Sequence, residues 1–361
     1  MMDRFERINA VLGELGADAV VFSKLLTRQF ASGFVSSAGM VLLTAKGDKY
    51  FLTDGRYIEG AQKKAAPQGF TVINAGHAYS QCIQELAEKH GVRRLAFENL
   101  SVSYTQYLDF STNIRCELVP ADRRFDLLAD VKSREDIDKL ITAQRMTEAA
   151  IGSALASVRA GMTEREFAAE LIYHMYKNGA DDMSFAPICI SGANSSMPHG
   201  RATDKPLEDG DFLLIDCGVI RDGWGCDISR TVAIGHATDE MHRVYNTVLE
   251  AQNAAIDYFA PGTTGNDVDA VARSYIEASG IGGCYDHALG HSIGLGGGNG
   301  GLLAGRRSGT VFEVGHIITF EPGIYLPGKY GVRIEDAVWL GPDGKVNIAA
   351  FPKDELIVVR L

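Results

Sequence analysis

The sequence predicts an α+β protein in which a smaller N-terminal α/β domain, residues 1–128, precedes a larger domain, residues 129–361. In the first domain, short apolar runs alternate with helical patterns. In the second, a helix–Gly–x–Thr–helix pattern occurs twice, at Thr163 and at Thr264, which indicates an internal repeat. Two strand pairs of this second domain carry carboxylates at matching positions, so the repeat is where we expect the chemistry.

The composition is that of an ordinary globular protein, with 46% hydrophobic and 22% charged residues among 361. It excludes a disordered chain, a collagen and a coiled coil. The net charge of −11 argues against nucleic acid as the main partner. The sequence has no apolar run of membrane-spanning length and no signal-peptide layout. Six scattered cysteines without a CxxC pair are typical of free thiols, so we expect a cytoplasmic protein that binds no membrane.

The N-terminal domain contains alternating helices and strands but no cluster of residues that indicates chemistry. The helix predicted over 80–90 stops at Gly91, because glycine commonly ends helices. The predicted elements are a helix at 5–15, a strand at 19–23, a hairpin formed by 40–43 and 50–53, a helix at 80–90 and a strand at 95–98.

The second domain is predicted to contain two helix pairs. In the first pair, Ser133 and Thr163 each precede a helix and have an acidic residue three positions later, which is a capping-box pattern. In the second pair, a helix over 243–260 is followed by Thr264 and another helix. A duplicated unit of this kind would pack both helix pairs against one curved sheet. We expect its active site between the two halves.

The first candidate hairpin is formed by an apolar strand over 211–216 and a return strand over 226–234. Asp216 and Asp227 are symmetric about the turn at 221–222. In a tight antiparallel hairpin they would lie opposite, or nearly opposite if the hairpin contains a bulge.

The second candidate hairpin places Glu321 and Glu335 symmetrically about Gly328. Like charges across a strand pair are destabilising, so two such pairs in apolar strands need an explanation. One explanation is that the carboxylates are solvated or pair with Arg230 and Arg333. The other, which two hairpins together favour, is that metal cations lie between the carboxylates.

Three histidines accompany the carboxylates. His287 and His291 lie four residues apart in a short apolar segment, a spacing that suits one metal ligand and one supporting neighbour. His199 lies in a loop rich in turn residues, where functional side chains are common. One imidazole and four carboxylates would balance two divalent ions. Such ligands favour Mn²⁺, with Co²⁺ and Zn²⁺ as alternatives.

Together these segments resemble peptidase family M24, the pita-bread metallopeptidases, and within it the Xaa-Pro peptidases, aminopeptidase P and prolidase. The resemblance extends over essentially the full chain, from LTDGRY at 52–57 and VKSREDI at 131–137 onward. The motifs that carry it are SGANSSMPHG at 191–200, DCG and GWGCDISRT within 216–231, HALGHSIGL at 287–295, EPGIYLPG at 321–328 and GVRIED at 331–336.

The resemblance implies a pita-bread catalytic domain that holds two divalent metal ions and hydrolyses the Xaa-Pro bond of short peptides or a small amide. It implies a homodimer as well. Glu321 would also move a proton, while His199 and His287 would donate hydrogen bonds to the substrate. Tyr325 and Arg333 would line the pocket. The implied metal ligands are Asp216, Asp227, His291, Glu321 and Glu335.

The chain departs from the family pattern after Leu295, where Gly298 and Asn299 stand in place of a His-Glu pair. Asn299 is a candidate to bind substrate and to replace the lost donor. The departure leaves open a hydrolase of a non-peptide C–N bond, as in creatinase-like members. An inactive peptide-binding module is a third alternative, although a dead site would have no use for five metal-ligating side chains.

Overall fold

The computed structural model describes residues 3–296 and 301–361, so the predicted roles of Gly298 and Asn299 lie outside the described residues. The chain divides into two compact units, Met1–Ala129 and Asp130–Leu361. Within the described ranges, every helix is too short or too polar to span a bilayer.

The first unit contains a mixed six-stranded sheet of order β4-β3-β2-β1-β5-β6. Its central strand β1 is antiparallel to β2 and parallel to β5. The strands are β1 Ala19–Phe22, β2 Met40–Thr44, β3 Lys49–Thr53, β4 Thr71–Asn74, β5 Arg94–Phe97 and β6 Glu117–Pro120. The helices are α1 Arg4–Leu15, α2 Leu25–Ser32, α3 Ile58–Lys64, α4 Tyr79–His90 and α5 Tyr104–Asn113.

Both faces of this sheet are buried, because the side chains of β1 alternate between two hydrophobic clusters. Val20 and Phe22 pack in the cluster that includes residues of α1, α2 and α3. Ala19 and Val21 pack in the cluster that includes residues of α4 and α5. The period-2 alternation therefore gives a three-layer α/β/α unit, in line with the predicted N-terminal domain.

The second unit contains four long helices and fifteen short strands among its described residues. The helices are α6 Arg134–Ala156, α7 Glu164–Lys177, α8 Asp239–Tyr258 and α9 Gly265–Ala278. The strands are β7 Asp182–Met183, β8 Ile188–Ser191, β9 Phe212–Cys217, β10 Val219–Arg221, β11 Trp224–Gly225, β12 Ile228–Ile234, β13 Gly290–His291, β14 Gly294–Leu295, β15 Leu303–Ala304, β16 Ile317–Phe320, β17 Gly323–Leu326, β18 Tyr330–Arg333, β19 Asp336–Gly341, β20 Gly344–Asn347 and β21 Val358–Val359.

The predicted internal repeat is present in the helix pairs. Thr163 and Thr264 both accept a backbone N–H three residues later, at the start of α7 and of α9. Each also forms an isolated β-bridge, Thr163 with Pro206 and Thr264 with Val311. The helix α8 begins earlier than predicted, at Asp239, because Thr238 caps its N-terminus.

The central strand β9 separates the cores of the two halves. Its Leu213 and Ile215 pack with residues of α6 and α7. Its Phe212 and Leu214 pack with residues of α8 and α9. Strands β9, β12, β16 and β19 thus lie between the helix pairs, and they carry or border all four predicted carboxylates.

Candidate metal centre

The aspartate hairpin closes one residue later than predicted. Asp222 and Gly223 both have positive φ, 50° and 79°, as in the two-residue turn that an Asp-Gly sequence favours. The register therefore pairs Asp216 with Ser229 rather than with Asp227. Asp227 lies two residues before Ser229, on the same face as Asp216. The two aspartates are thus diagonal neighbours, which still brings their carboxylates to one site.

The glutamate hairpin has the predicted register. Gly323 pairs with Arg333, and on the other side Phe320 pairs with Asp336. Glu321 and Glu335 lie between these two ladders, which share one register centred on Gly328. The two glutamates therefore face each other across the strand pair, as the symmetry about Gly328 predicts.

His291 ends the short strand β13, next to both pairs of carboxylates. Its Nε2 lies 3.6 Å from Asp227 Oδ2 and 3.7 Å from Glu321 Oε1. Its Nδ1 lies 3.2 Å from the carbonyl oxygen of Ser292, which it reaches as a donor when the ring is neutral. Burial lowers the pKa of His291, so the neutral ring is favoured and its Nε2 lone pair faces the carboxylates.

The carboxylates are buried with too few positive charges to balance them. Asp216, Asp227 and Glu335 are each less than a tenth exposed, and one oxygen of each aspartate has no hydrogen-bond partner. Burial and the neighbouring carboxylates raise the pKa of Glu335 to about 8 and raise those of Asp227 and Glu321 well above their usual range. Such a cluster is costly unless cations compensate it.

These residues fit a site for divalent cations. One ligand atom each of Asp227, His291 and Glu335 lie within 4.8 Å of one another. The unpartnered oxygens of Asp216 and Asp227 supply further lone pairs. Carboxylates with one imidazole suit Mn²⁺, Co²⁺ or Zn²⁺.

Arg333 is the buried cation that contacts this cluster, and it joins the two hairpins. It lies in the glutamate hairpin and donates to Asp216 of the aspartate hairpin. It also donates from Nε to Ser229 Oγ, 2.9 Å away, and from Nη1 to Tyr325 Oη, also 2.9 Å away. A further bond of 3.2 Å reaches the carbonyl oxygen of Pro198. The predicted pairing of Arg333 with a carboxylate is therefore present beside the metal-type cluster, not instead of it.

The other arginine considered in the sequence, Arg230, has a different partner. Its Nη2 lies 2.8 Å from Asp336 Oδ1, and its Nη1 donates to the carbonyl oxygen of Glu335 over 2.7 Å. It therefore holds the backbone of a candidate ligand without neutralising any of the four carboxylates. Spacing alone gives no signal for this choice of partner.

His287 and Tyr325 form a hydrogen-bonded pair beside Glu321. The Nδ1 of His287 lies 2.7 Å from the carbonyl oxygen of Ala288, and its Nε2 lies 3.1 Å from Tyr325 Oη. Burial lowers the pKa of His287 to about 4, so the ring is neutral near pH 7. A neutral ring would donate from Nδ1 to Ala288 and accept at Nε2 from Tyr325. In this arrangement both ring nitrogens are engaged, so His287 would have to exchange a partner to donate to a substrate.

All five predicted ligands line one cavity of about 710 Å³, together with His199, His287 and Arg333. Tyr325 is absent from the described lining. Several other lining residues were not predicted from the sequence. Pro198 and Arg201 are close to His199 in the chain and could have been inferred from that position, whereas nothing in the pattern marked Ser184, Phe185, Ala186 and Ile188.

Comparison with known proteins agrees with this geometry. Residues 138–342 match the model of metallopeptidase family M24, and residues 4–128 match the creatinase/prolidase N-terminal domain. An uncharacterized peptidase of Bacillus subtilis, YqhT, is 36% identical over 98% of this chain and 100% of its own length.

Two solved structures extend the match to the fold. An Xaa-Pro dipeptidase from Bacillus anthracis superposes with a TM-score of 0.92 at 35% identity, covering 98% of this chain and 99% of that one. An X-Pro aminopeptidase from Thermotoga maritima gives a TM-score of 0.91 at 33% identity, covering 99% and 100%. The predicted pita-bread domain with its N-terminal α/β domain is thus confirmed, and the chain belongs to metallopeptidase family M24.

Proposed function

We propose that this protein is a metal-dependent peptidase that cleaves the Xaa-Pro bond of short peptides. The observation that carries the proposal is the buried cluster of four carboxylates and one imidazole that lines a cavity. Phe185, Ala186, Ile188 and Pro198 give one wall an apolar surface that suits a proline ring. Similarity to an Xaa-Pro dipeptidase and to an X-Pro aminopeptidase supports the same activity.

We infer that Asp216, Asp227, His291, Glu321 and Glu335 hold two divalent ions, with Mn²⁺ as the expected ion and Co²⁺ or Zn²⁺ as alternatives. Divalent ions in such a site polarise a scissile carbonyl and lower the pKa of a water molecule. The support is the charge balance: four carboxylates offset two divalent cations, and the unpartnered oxygens of Asp216 and Asp227 gain partners.

The protein side chains would then manage protons and orientation. Glu321 lines the cavity among the predicted ligands, where its carboxylate would be placed to accept a proton from water and deliver it to the leaving nitrogen. His199 is exposed on the cavity wall and is placed to donate a hydrogen bond to the substrate. Tyr325 and Arg333 would act on the substrate through His287 and Pro198, whose positions they hold.

The direct test is hydrolysis of a panel of Xaa-Pro dipeptides and longer Xaa-Pro peptides by protein loaded with Mn²⁺, Co²⁺ or Zn²⁺. We expect cleavage before proline, and loss of cleavage when a chelator removes the metal. If metal is bound but no Xaa-Pro peptide is cleaved, the function is wrong. Hydrolysis of a non-peptide C–N bond would then replace it.

We also infer a homodimer in a reducing compartment such as the cytoplasm. All six cysteines are free, which favours a reducing environment. In the first unit, the exposed apolar side chains of Leu100, Tyr104, Tyr107 and Leu108 are close together in the sequence, and clustered exposed apolar side chains favour a protein interface. Light scattering coupled to gel filtration would give the oligomeric state, and a monomer at micromolar concentration would contradict the dimer.

A further inference from the structure

The chain that follows α9 runs beside the glutamate hairpin and bulges away from it at one point. Tyr285 donates from its backbone N–H to the carbonyl oxygen of Gly323 over 3.1 Å, and Glu321 donates from its backbone N–H to the carbonyl oxygen of Leu289 over 2.8 Å. Between these two bonds the hairpin has one residue, Pro322, whereas the other chain has three. The longer chain must therefore bend outward there.

His287 is the middle residue of this bulge, and it lines the cavity. Pro322 has no backbone N–H, so it cannot donate a hydrogen bond to the bulge from across the strand pair. Tyr285 and Leu289, at the two ends of the bulge, are buried. Their backbone groups therefore need partners from elsewhere in the protein.

An ion pair on α9 lies behind the bulge. Asp269 and Arg273 are one helical turn apart and only 1% and 6% exposed. The Nε and Nη2 atoms of Arg273 each lie 2.9 Å from a different oxygen of Asp269. Because two parallel bonds fix the plane of the guanidinium, its other N–H groups have a fixed direction as well.

This ion pair satisfies the backbone of the bulge at three points. Arg273 donates from Nη1 to the carbonyl oxygen of Tyr285 and from Nη2 to that of His287, the latter over 3.2 Å. Asp269 accepts the backbone N–H of Leu289 over 3.1 Å. The guanidinium carbon of Arg273 also lies 4.1 Å from the ring centre of Tyr285, a cation–π contact. The backbone is thus held before, at and after His287.

We propose that Asp269 and Arg273 are positioning residues that fix this bulge and thereby orient the imidazole of His287 toward the substrate. Neither belongs to the described cavity lining, so the pair acts through His287. The inference rests on the proposed Xaa-Pro activity and adds two residues of α9 to what that reaction requires. A displacement of about 1 Å in an oriented group can cost roughly a hundredfold in rate.

The test is a double-mutant cycle on Mn²⁺-loaded protein with Ala-Pro as substrate. Arg273→Met and Arg273→Lys are each measured alone and combined with His287→Ala. We expect Arg273→Met to lower kcat by about ten- to hundredfold with a smaller change in KM, because the imidazole loses its orientation. Arg273→Lys should lose less, since it keeps the charge beside Asp269 without the planar geometry. Both losses should nearly vanish in the His287→Ala background, because residues that act through one another are not additive.

Arg306→Gln is the matched control, because Arg306 contacts the same bulge only through an exposed ion pair with Asp286, 2.9 Å long. Exposed pairs contribute little, so this variant should keep the wild-type kcat. Metal content, measured in parallel, should be the same in all variants. If Arg273→Met does not fold, Arg273→Lys, which preserves the ion pair, carries the test.

The inference would be overturned by losses that are as large in the His287→Ala background as in the wild type. An unchanged kcat in every folded Arg273 variant would overturn it too, and so would a loss of metal from Arg273→Lys, since the pair would then act on the metal centre. A wild type that binds metal but cleaves no Xaa-Pro peptide would instead overturn the proposed function, and the inference with it.

Discussion

The aspartate and glutamate hairpins each bring two carboxylates to one site, but they do so with different strand registers. Asp216 and Asp227 are diagonal, whereas Glu321 and Glu335 face each other. Each hairpin supplies what the other lacks. Arg333 of the glutamate hairpin pairs with Asp216, and Ser229 of the aspartate hairpin donates from its hydroxyl to Glu335 over 2.8 Å.

Because each hairpin contacts a carboxylate of the other, neither hairpin forms a complete site by itself. Glu335 also donates from its backbone N–H to the carbonyl oxygen of Ser229 over 3.0 Å, so the two hairpins are joined by main chain as well. The half-repeats therefore share one charge cluster. Single substitutions can distinguish the contacts that serve this cluster from those that only stabilise the fold.

The largest effect on stability is expected from replacing Arg333, the buried arginine that pairs with Asp216. Arg333→Met leaves Asp216 without its cation, and removing one partner of a buried ion pair costs about 3–5 kcal/mol. We expect this loss in chelator-treated protein and a smaller one with Mn²⁺ bound, because the metal would then compensate Asp216. Urea unfolding of both forms measures the difference.

Arg230→Met is the matched control, since Arg230 is equally buried but pairs with Asp336. It should lose a similar free energy of unfolding with and without metal. If Arg333→Met also responds identically in both forms, Arg333 does not serve the charge cluster.

His199 should affect turnover without affecting metal binding. His199→Ala removes a donor on the cavity wall, and loss of one such donor costs about 2.7–4 kcal/mol of transition-state stabilisation, roughly a hundredfold or more in rate. Steady-state kinetics on Ala-Pro, with metal content measured in parallel, tests this. Full activity of His199→Ala on every substrate that the wild type cleaves would remove His199 from the mechanism.

The smallest expected effect is a pH dependence of the stability of the metal-free protein. Burial and the neighbouring Asp216 raise the pKa of Glu335 to about 8 from an ordinary 4.5. The folded state thus binds this proton more tightly than the unfolded state. The stabilisation is present at low pH and is lost as the pH rises toward and through about 8.

The lowered pKa of His287 has the opposite effect on stability below its ordinary value of 6.5, so the comparison is made above that pH. From about pH 6.5 to about pH 8, we expect the Tm of the metal-free protein to fall relative to that of the Mn²⁺-loaded protein. Scanning calorimetry of both forms measures this, and parallel pH profiles would contradict it.

Much of this architecture could be predicted from the sequence, because it follows local rules. The capping residues Thr163 and Thr264 locate two helix starts, and the symmetry about Gly328 gives the register of Glu321 and Glu335. The register of the aspartates differs from the predicted one by one residue, because Asp222-Gly223 favours a two-residue turn.

What the sequence could not show are contacts between residues that are far apart in the chain. Arg230 and Arg333 have similar local settings, yet one pairs with Asp336 and the other with Asp216. Glu164 looks like an ordinary first-turn carboxylate, but its oxygens accept hydrogen bonds that hold the segment containing His199. Such partners depend on how the two halves pack, which no local pattern contains.

The central claim is that both hairpins together hold two metal ions, and metal content tests it most directly. Elemental analysis after dialysis would compare the wild type with Glu335→Ala and with Glu250→Ala, an exposed control on α8. With Mn²⁺, Co²⁺ or Zn²⁺ supplied in excess, we expect about two ions per chain in the wild type and in the control, and fewer in Glu335→Ala. No stoichiometric metal in the wild type with any of the three ions would contradict the account.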